Sequence, residues 1–193
     1  MKNVALLFGS FNPIHKGHLH LGDKIISEMD HMDEVWYVVS PHNPHKEKSD
    51  LLDENLRLEM INLSLEGKNK LKSCDIEFKM DRPSYTYKTL KKLSKKYNDH
   101  NFHIVMGTDV VNNLTSWKNY EDVIKYPIIH FTRDNEDIKL NSKIELDILT
   151  ISSSISLSST YIRNKIKSNN LKDLGGLINN KVLDLIIRNK YYK

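Results

Sequence analysis

The chain has 193 residues, 39% of them hydrophobic and 28% charged, with a formal net charge of +4. That length favours one domain with a sizeable core, and the balance is that of an ordinary soluble protein. The mild positive charge suits small anionic ligands but is too diffuse to argue for nucleic acid, no apolar run approaches the roughly 20 residues of a membrane helix, and a single cysteine, Cys74, excludes an intrachain disulfide and fits a reducing cytoplasm.

The chain goes straight into an uncharged apolar run, about Asn3–Phe8, which predicts a strand buried on both faces and no secretory leader. Gly9 and Ser10 break the run and Asn12-Pro13 turns the chain. A helical pattern follows at once to about Met29, with Leu21, Ile25, Ile26 and Met29 on one stripe and His18 one turn earlier. Two imidazoles, His15 and His18, therefore sit at a helix N-terminus. Unpaired N–H groups, a positive dipole end and two donors that titrate near neutrality suit a phosphate there.

Val35–Val39, β-branched and aromatic, predicts the second strand. The polar segment His42–Ser49 predicts a loop. Asp53 starts a helix with Leu56, Met60 and Leu63 as its apolar stripe, and Ser73–Lys79 predicts the third strand, with Cys74 as a packed core residue. Asp81–Thr86 is a turn before a helix whose inward stripe is Tyr87, Leu90, Leu93 and Tyr97. Lys91, Lys92, Lys95 and Lys96 form its solvated face. Asn101–Met106 and Ile128–Phe131 predict strands four and five, and Ile144–Ile151 one more. Between strands four and five, Gly107-Thr108-Asp109 leads into a short helix and Trp117. Ser158 or Ser159 caps a further helix carrying Ile162, Arg163 and Ile166, Gly175-Gly176 marks a turn, and Asn180–Asn189 is a last amphipathic helix.

Strands alternating with helices imply right-handed crossovers and an α/β fold, a mainly parallel sheet with helices on both faces. We read residues 1–193 as a single domain, its C-terminal helices (about 158–193) packed on the same core. Every unusual segment follows a strand, so all converge on the carboxyl edge of the sheet, where such folds bind ligands.

Gly9-Ser10-Phe11-Asn12-Pro13-Ile14-His15-Lys16-Gly17-His18-Leu19 resembles the signature of the nucleotidylyltransferase superfamily, with its His-x-Gly-His core, and within it the bacterial nicotinate-nucleotide adenylyltransferases. It is neither the Gly-x-Gly-x-x-Gly fingerprint nor a Walker A loop. Ser159-Thr160-Tyr161-Ile162-Arg163 is similar to the second signature, Ser-Ser-Thr-x-Ile-Arg.

The resemblance implies a Rossmann-like, doubly wound fold and transfer of AMP from ATP to nicotinate mononucleotide, giving deamido-NAD and pyrophosphate; with the single cysteine, a cytoplasmic enzyme is expected. It assigns His18 to the α-phosphate and His15 to the outer phosphates. Gly9, Ser10 and Phe11 would line the triphosphate or the acceptor phosphate, Gly107 and Asp109 the nucleotide, and Ser159, Thr160 and Arg163 the β- and γ-phosphates. An arginine near a helix N-terminus opposes the dipole unless an anion compensates, which independently favours the last role. On the acceptor, the resemblance points to Lys46, Tyr85, Thr86 and Trp117. Three of the site residues have a structural alternative: Lys46 as an exposed loop residue, Trp117 as core, Asp109 as a helix cap. Magnesium is expected only as the companion of ATP. His42 and His45 lack partners at zinc spacing, so no protein-built metal site is expected. Arg82 and Lys88 stand where the family often has glycine and aspartate. Nicotinamide mononucleotide or phosphopantetheine as acceptor, and a nucleotide sensor without catalysis, are the rival readings. A homo-oligomer is compatible with the sequence.

Overall fold

A computed structural model describes residues 1–41, 51–132 and 157–193, and the backbone of 149–152. At its centre lies β1 (Lys2–Gly9), flanked by β2 (Glu34–Val39) and β4 (His100–Gly107). With β3 (Leu71–Cys74), β5 (Ile128–Thr132) and β6 (Leu149–Ser152) they form a six-stranded sheet of order β3-β2-β1-β4-β5-β6. Every neighbouring pair is parallel. The order reverses between β1 and β4, which makes the gap beyond their carboxyl ends the switch point of a doubly wound sheet.

Side chains of a strand alternate between faces, and β1 divides the core accordingly. Ala5 and Leu7 join one cluster with Leu21 and Ile25 of α1 (Lys16–Glu28) and with Met60 and Ile61 of α2 (Glu54–Leu65). The same cluster holds Ile162 and Ile166 of α6 (Ser159–Lys167) and Val182 and Ile186 of α7 (Asn180–Asn189). Val4 and Leu6 join the other, with Leu90 and Leu93 of α3 (Thr86–Lys96), Val111 of α4 (Thr108–Asn112) and Val123 of α5 (Tyr120–Val123). Among the described residues, no helix is long and apolar enough to cross a membrane.

Three expectations change. The predicted strand Ser73–Lys79 is a strand only to Cys74; Ile76–Lys79 is a 3₁₀ turn. The alternation of Ile76 and Phe78 mimics a strand, but Glu77 between them is buried and takes hydrogen bonds from Ser84 and Thr89. The buried stripe of α2 is Arg57, Met60, Ile61, Ser64 and Leu65, with Leu56 and Leu63 only half-buried. The helix is rotated so that Arg57 enters the interior. Of the predicted strand Ile144–Ile151, β6 covers the later part, and 144–148 lie outside the described residues. Cys74 is buried, and burial pushes its thiol up to about 11, as suits a packed residue.

Candidate active site

The site grows from the turn after β1. A Cβ on Gly9 would stand 2.9 Å from the ring of Phe11, so the glycine makes room for that ring. Phe11 itself is left-handed, φ 47°, which folds the chain back over the strand end. Its ring packs edge-on against Tyr37, centroids 5.6 Å apart, and against His18, at 5.0 Å. Tyr37 also donates from Oη to the carbonyl of His18 at 3.2 Å. Gly22 permits this approach, since a Cβ there would lie 2.2 Å from Oη. β2 thus sets the first turn of α1 through one buried tyrosine.

His15 is the N-cap of α1 and only 3% exposed. Its backbone N–H donates to Nδ1 of His18 at 3.3 Å, and the two rings stack with centroids 3.7 Å apart. An Nδ1 that accepts puts the proton of neutral His18 on Nε2. His18 therefore reaches back like the third residue of a capping box and keeps a donor on its other nitrogen.

The carbonyls of the turn are held from outside. Ser10 O accepts from Arg57 Nη1 at 2.5 Å, Asn12 O from Arg163 Nη1 at 3.0 Å, and Pro13 O from Ser159 Oγ at 2.9 Å. Arg57 is fully buried and also donates to the carbonyls of Ser40, Pro41 and Leu52. Burial pulls its guanidinium down from the ordinary value, yet an arginine starts high enough to stay charged. It ties the turn after β1 to Ser40 and Pro41, which follow β2, and to Leu52, which precedes α2. Reading the sequence missed it, because a charged residue among leucines in a helix reads as outer face. The helical offset to Met60, Ile61 and Ser64 was the available signal.

Beyond the carboxyl ends of β1 and β4 opens a cleft of about 850 Å³, within the range of ligand pockets. It brings together Gly9, Ser10, Phe11, His15, His18, Gly107, Asp109, Trp117, Ser159, Thr160 and Arg163. Two of its buried polar atoms, Ser10 Oγ and Arg163 Nε, have no hydrogen-bond partner among the described residues. Such donors call for a polar ligand. Ser158 caps α6 by accepting from Tyr161 N–H at 3.1 Å, which leaves Ser159 and Thr160 in the first turn, facing the cleft. Gly107, not Asp109, is the N-cap of α4, and the Asp109 carboxylate folds back to within 2.9 Å of where a Gly107 Cβ would be.

The acceptor-side residues are more dispersed. Trp117 lines the cleft; Tyr85 and Thr86 do not. Tyr85 is the N-cap and Thr86 the first residue of α3, both half-buried. Lys46 lies outside the described residues, as do His42 and His45. The two departures from the family pattern have partners. Arg82 pairs with Glu54, and Lys88 stands 6.0 Å from the ring centre of Tyr85, over which Lys118 sits at 4.8 Å. Beneath this turn Glu77, 3% exposed, accepts from Ser84 Oγ at 2.6 Å and Thr89 Oγ1 at 2.7 Å. No group of three or more His, Cys, Asp or Glu suited to a metal occurs among the described residues.

The cytidylyltransferase-like family profile matches residues 6–165. The "probable nicotinate-nucleotide adenylyltransferase" of Flavobacterium johnsoniae is 41% identical over 98% of both chains, and that of Christiangramia forsetii 39% identical over 100% of this chain and 99% of its own. In fold, the chain is similar to Plasmodium falciparum nicotinic acid mononucleotide adenylyltransferase, solved in complex with NaAD. The TM-score is 0.81 at 23% identity, over 100% of this chain and 98% of that one. Matched in sequence from end to end, and with both signature segments on one cleft, the chain belongs to the nicotinate-nucleotide adenylyltransferases, nucleotidyltransferases of NAD biosynthesis within the cytidylyltransferase-like family.

Proposed function

We propose that the cleft joins ATP to nicotinate mononucleotide, with the triphosphate on the β1–α1–α6 side and the nicotinate ring on the α3–α4 side. The observation that carries this reading is the meeting of the stacked His15–His18 pair with the first turn of α6 across one cleft. A phosphate oxygen of the mononucleotide attacks the α-phosphorus of ATP. The bond from that phosphorus to the bridging oxygen breaks, pyrophosphate leaves with the electron pair, and deamido-NAD is formed. Such a transfer needs alignment and charge stabilisation rather than covalent catalysis.

His18 donates from Nε2 to the α-phosphate as charge builds there. His15, with Ser159, Thr160, Arg163 and the free N–H groups of α6, takes the outer phosphates. The backbone of Gly9, Ser10 and Phe11 lines the phosphates, and Gly107 and Asp109 the nucleoside. Asp109 is the single carboxylate among the described residues of the cleft. One carboxylate is too few for a protein-built cage, but it suits a Mg²⁺ that arrives on the triphosphate. That ion, held by Asp109, would supply charge neutralisation between the phosphates. On the acceptor, Trp117 stacks on the flat ring, Thr86 offers its hydroxyl and N–H to the carboxylate, and Tyr85 and Lys46 complete the enclosure. A carboxylate at a helix start favours nicotinate over nicotinamide. We read 1–193 as one functional unit that works in the cytoplasm, in a form compatible with a homo-oligomer.

Pyrophosphate release with ATP and, in turn, nicotinate mononucleotide, nicotinamide mononucleotide and phosphopantetheine tests the reading. The acid should give the highest kcat/KM. Preference for the amide would remove the role of Thr86, and ATP binding without pyrophosphate release from any acceptor would make the protein a sensor.

A further inference from the structure

One buried polar side chain that touches the phosphate turn comes from the far end of the numbering. After α7, Lys190 and Tyr192 both adopt left-handed backbone, φ 57° and 64°, and the chain doubles back. This returns the side chain of Tyr192 to the core cluster, 8% exposed. Its Oη donates to Asn12 Oδ1 at 2.9 Å, across 180 positions of sequence. The same oxygen accepts the backbone N–H of Leu52 at 3.2 Å. Tyr192 does not line the cleft, whereas Asn12 does.

The other constraints on this turn act on its backbone carbonyls, through Arg57, Arg163 and Ser159. Carbonyls held toward the protein leave the amide N–H groups to face an anion, and a short run of such groups makes a concave phosphate site. Asn12 lies between the left-handed Phe11 and Pro13. Its amide has two rotamers that differ by exchange of oxygen and nitrogen, and only one offers oxygen to both Tyr192 and Leu52. Burial pushes the Tyr192 phenol well above its ordinary value, so it stays a donor throughout the neutral range.

We propose that Tyr192 is a positioning residue for AMP transfer: together with the Leu52 N–H, which fixes the Asn12 amide orientation, its hydroxyl pins Asn12 Oδ1 and thereby sets the 9–13 turn that receives the triphosphate. The inference rests on the placement of the triphosphate at that turn. It extends the functional unit to the segment after α7, beyond the family profile, which ends at residue 165.

The test is Tyr192→Phe, which keeps the buried ring and removes one oxygen. One lost hydrogen bond, expressed on ligand rather than on folding, should raise the KM for ATP about fivefold, with the KM for nicotinate mononucleotide within about twofold of wild type on the same scale. Calorimetric titration with a non-hydrolysable ATP analogue should show the same weakening at a stoichiometry near one, which separates loss of affinity from loss of folded protein. In an Asn12→Ala background, Tyr192→Phe should add nothing. A Tyr192→Phe enzyme with unaltered ATP KM and analogue affinity overturns the proposal, even if it melts earlier. So does an effect that persists undiminished without the Asn12 side chain. A His18→Ala/Arg163→Ala double variant that binds the analogue as tightly as wild type would instead undo the placement of the triphosphate itself.

Discussion

The turn after β1 and the turn before α3 are built differently. On the proposed phosphate side, Ser10, Asn12 and His15 are each 6% exposed or less, and three anchors, Arg57, Arg163 and Ser159, reach the turn from two other helices. On the proposed acceptor side, Asp81, Arg82 and Pro83 are exposed and Tyr85 and Thr86 half-buried. The ion pair Arg82–Glu54 lies at the surface, and one buried carboxylate, Glu77, braces the turn from below. The difference suits the work proposed for each side. Phosphoryl transfer depends on donors held where charge develops, and small displacements there are costly. Recognition of a ring and its carboxylate is a matter of affinity and tolerates a less constrained wall.

Substitution should expose that asymmetry, most strongly at the histidine. His18→Ala is expected to lower kcat by about 10²–10³-fold while the KM for ATP moves by less than about threefold, the pattern of an interaction made chiefly in the transition state. Pyrophosphate release under saturating ATP measures it; unchanged turnover would remove His18 from the chemistry. Next comes Arg57, whose effect should appear in folding as well as in rate. Arg57→Met leaves four carbonyls, two of them buried, without their donor and should cost about 3 kcal/mol in urea unfolding. Arg57→Lys should recover part of this, because an ammonium has three donors but not the planar fork. A Met variant as stable as wild type would show that water or backbone shifts satisfy those carbonyls.

The phosphate side was also the more legible one in sequence. An apolar run, glycines, two histidines and a helical stripe are local signals, and each local preference agrees with the fold that formed. The serines before Tyr161 announced α6 in the same way, through a cap. What stayed hidden depends on partners distant in sequence. Arg57 is charged, so periodicity assigned it outward; its reason for turning inward is a set of carbonyls 5 to 47 residues away. Glu77 sat in an alternating stretch that reads as strand, and only the hydroxyls of Ser84 and Thr89 explain why it is buried. Tyr192 followed the last helical pattern and carried no motif.

Two buried carboxylates at opposite ends of the sheet sharpen the comparison further, by titrating in opposite senses. Glu34 begins β2, away from the cleft. Burial pushes its carboxyl up, but hydrogen bonds from Lys2, Lys72 and Trp36 outweigh burial and hold it down at about 2, from an ordinary 4.5. A lowered value means that its stabilisation is present above the ordinary carboxylate range and is lost as pH falls from about 4.5 toward about 2. Glu34→Gln should therefore cost about 1–2 kcal/mol near neutrality, both lysines being exposed and screened, and nothing near pH 2. Thermal unfolding across that range checks it, and an equal cost at both ends would assign the loss to packing.

Glu77, in the turn after β3, should behave in reverse and more weakly. Burial raises its carboxyl, and hydrogen bonds from Ser84, Thr89 and Ser40 offset that only in part. The raised value means that the folded state holds the proton more tightly than the unfolded chain. Its contribution is thus present at low pH and is lost as pH rises through the raised value. Glu77→Gln keeps the volume and an acceptor for the hydroxyls but carries no charge. Its melting temperature should therefore gain on that of wild type as pH rises from acid to neutral, the opposite of Glu34→Gln over its own range. If instead the Gln variant falls behind as pH rises, the three hydroxyls favour the ionised carboxylate more than burial disfavours it, and the brace under the acceptor turn is an anion held by design of its donors. The KM for nicotinate mononucleotide then becomes the informative readout, because a fixed negative charge beneath Ser84 would act against the acceptor's own carboxylate at the start of α3.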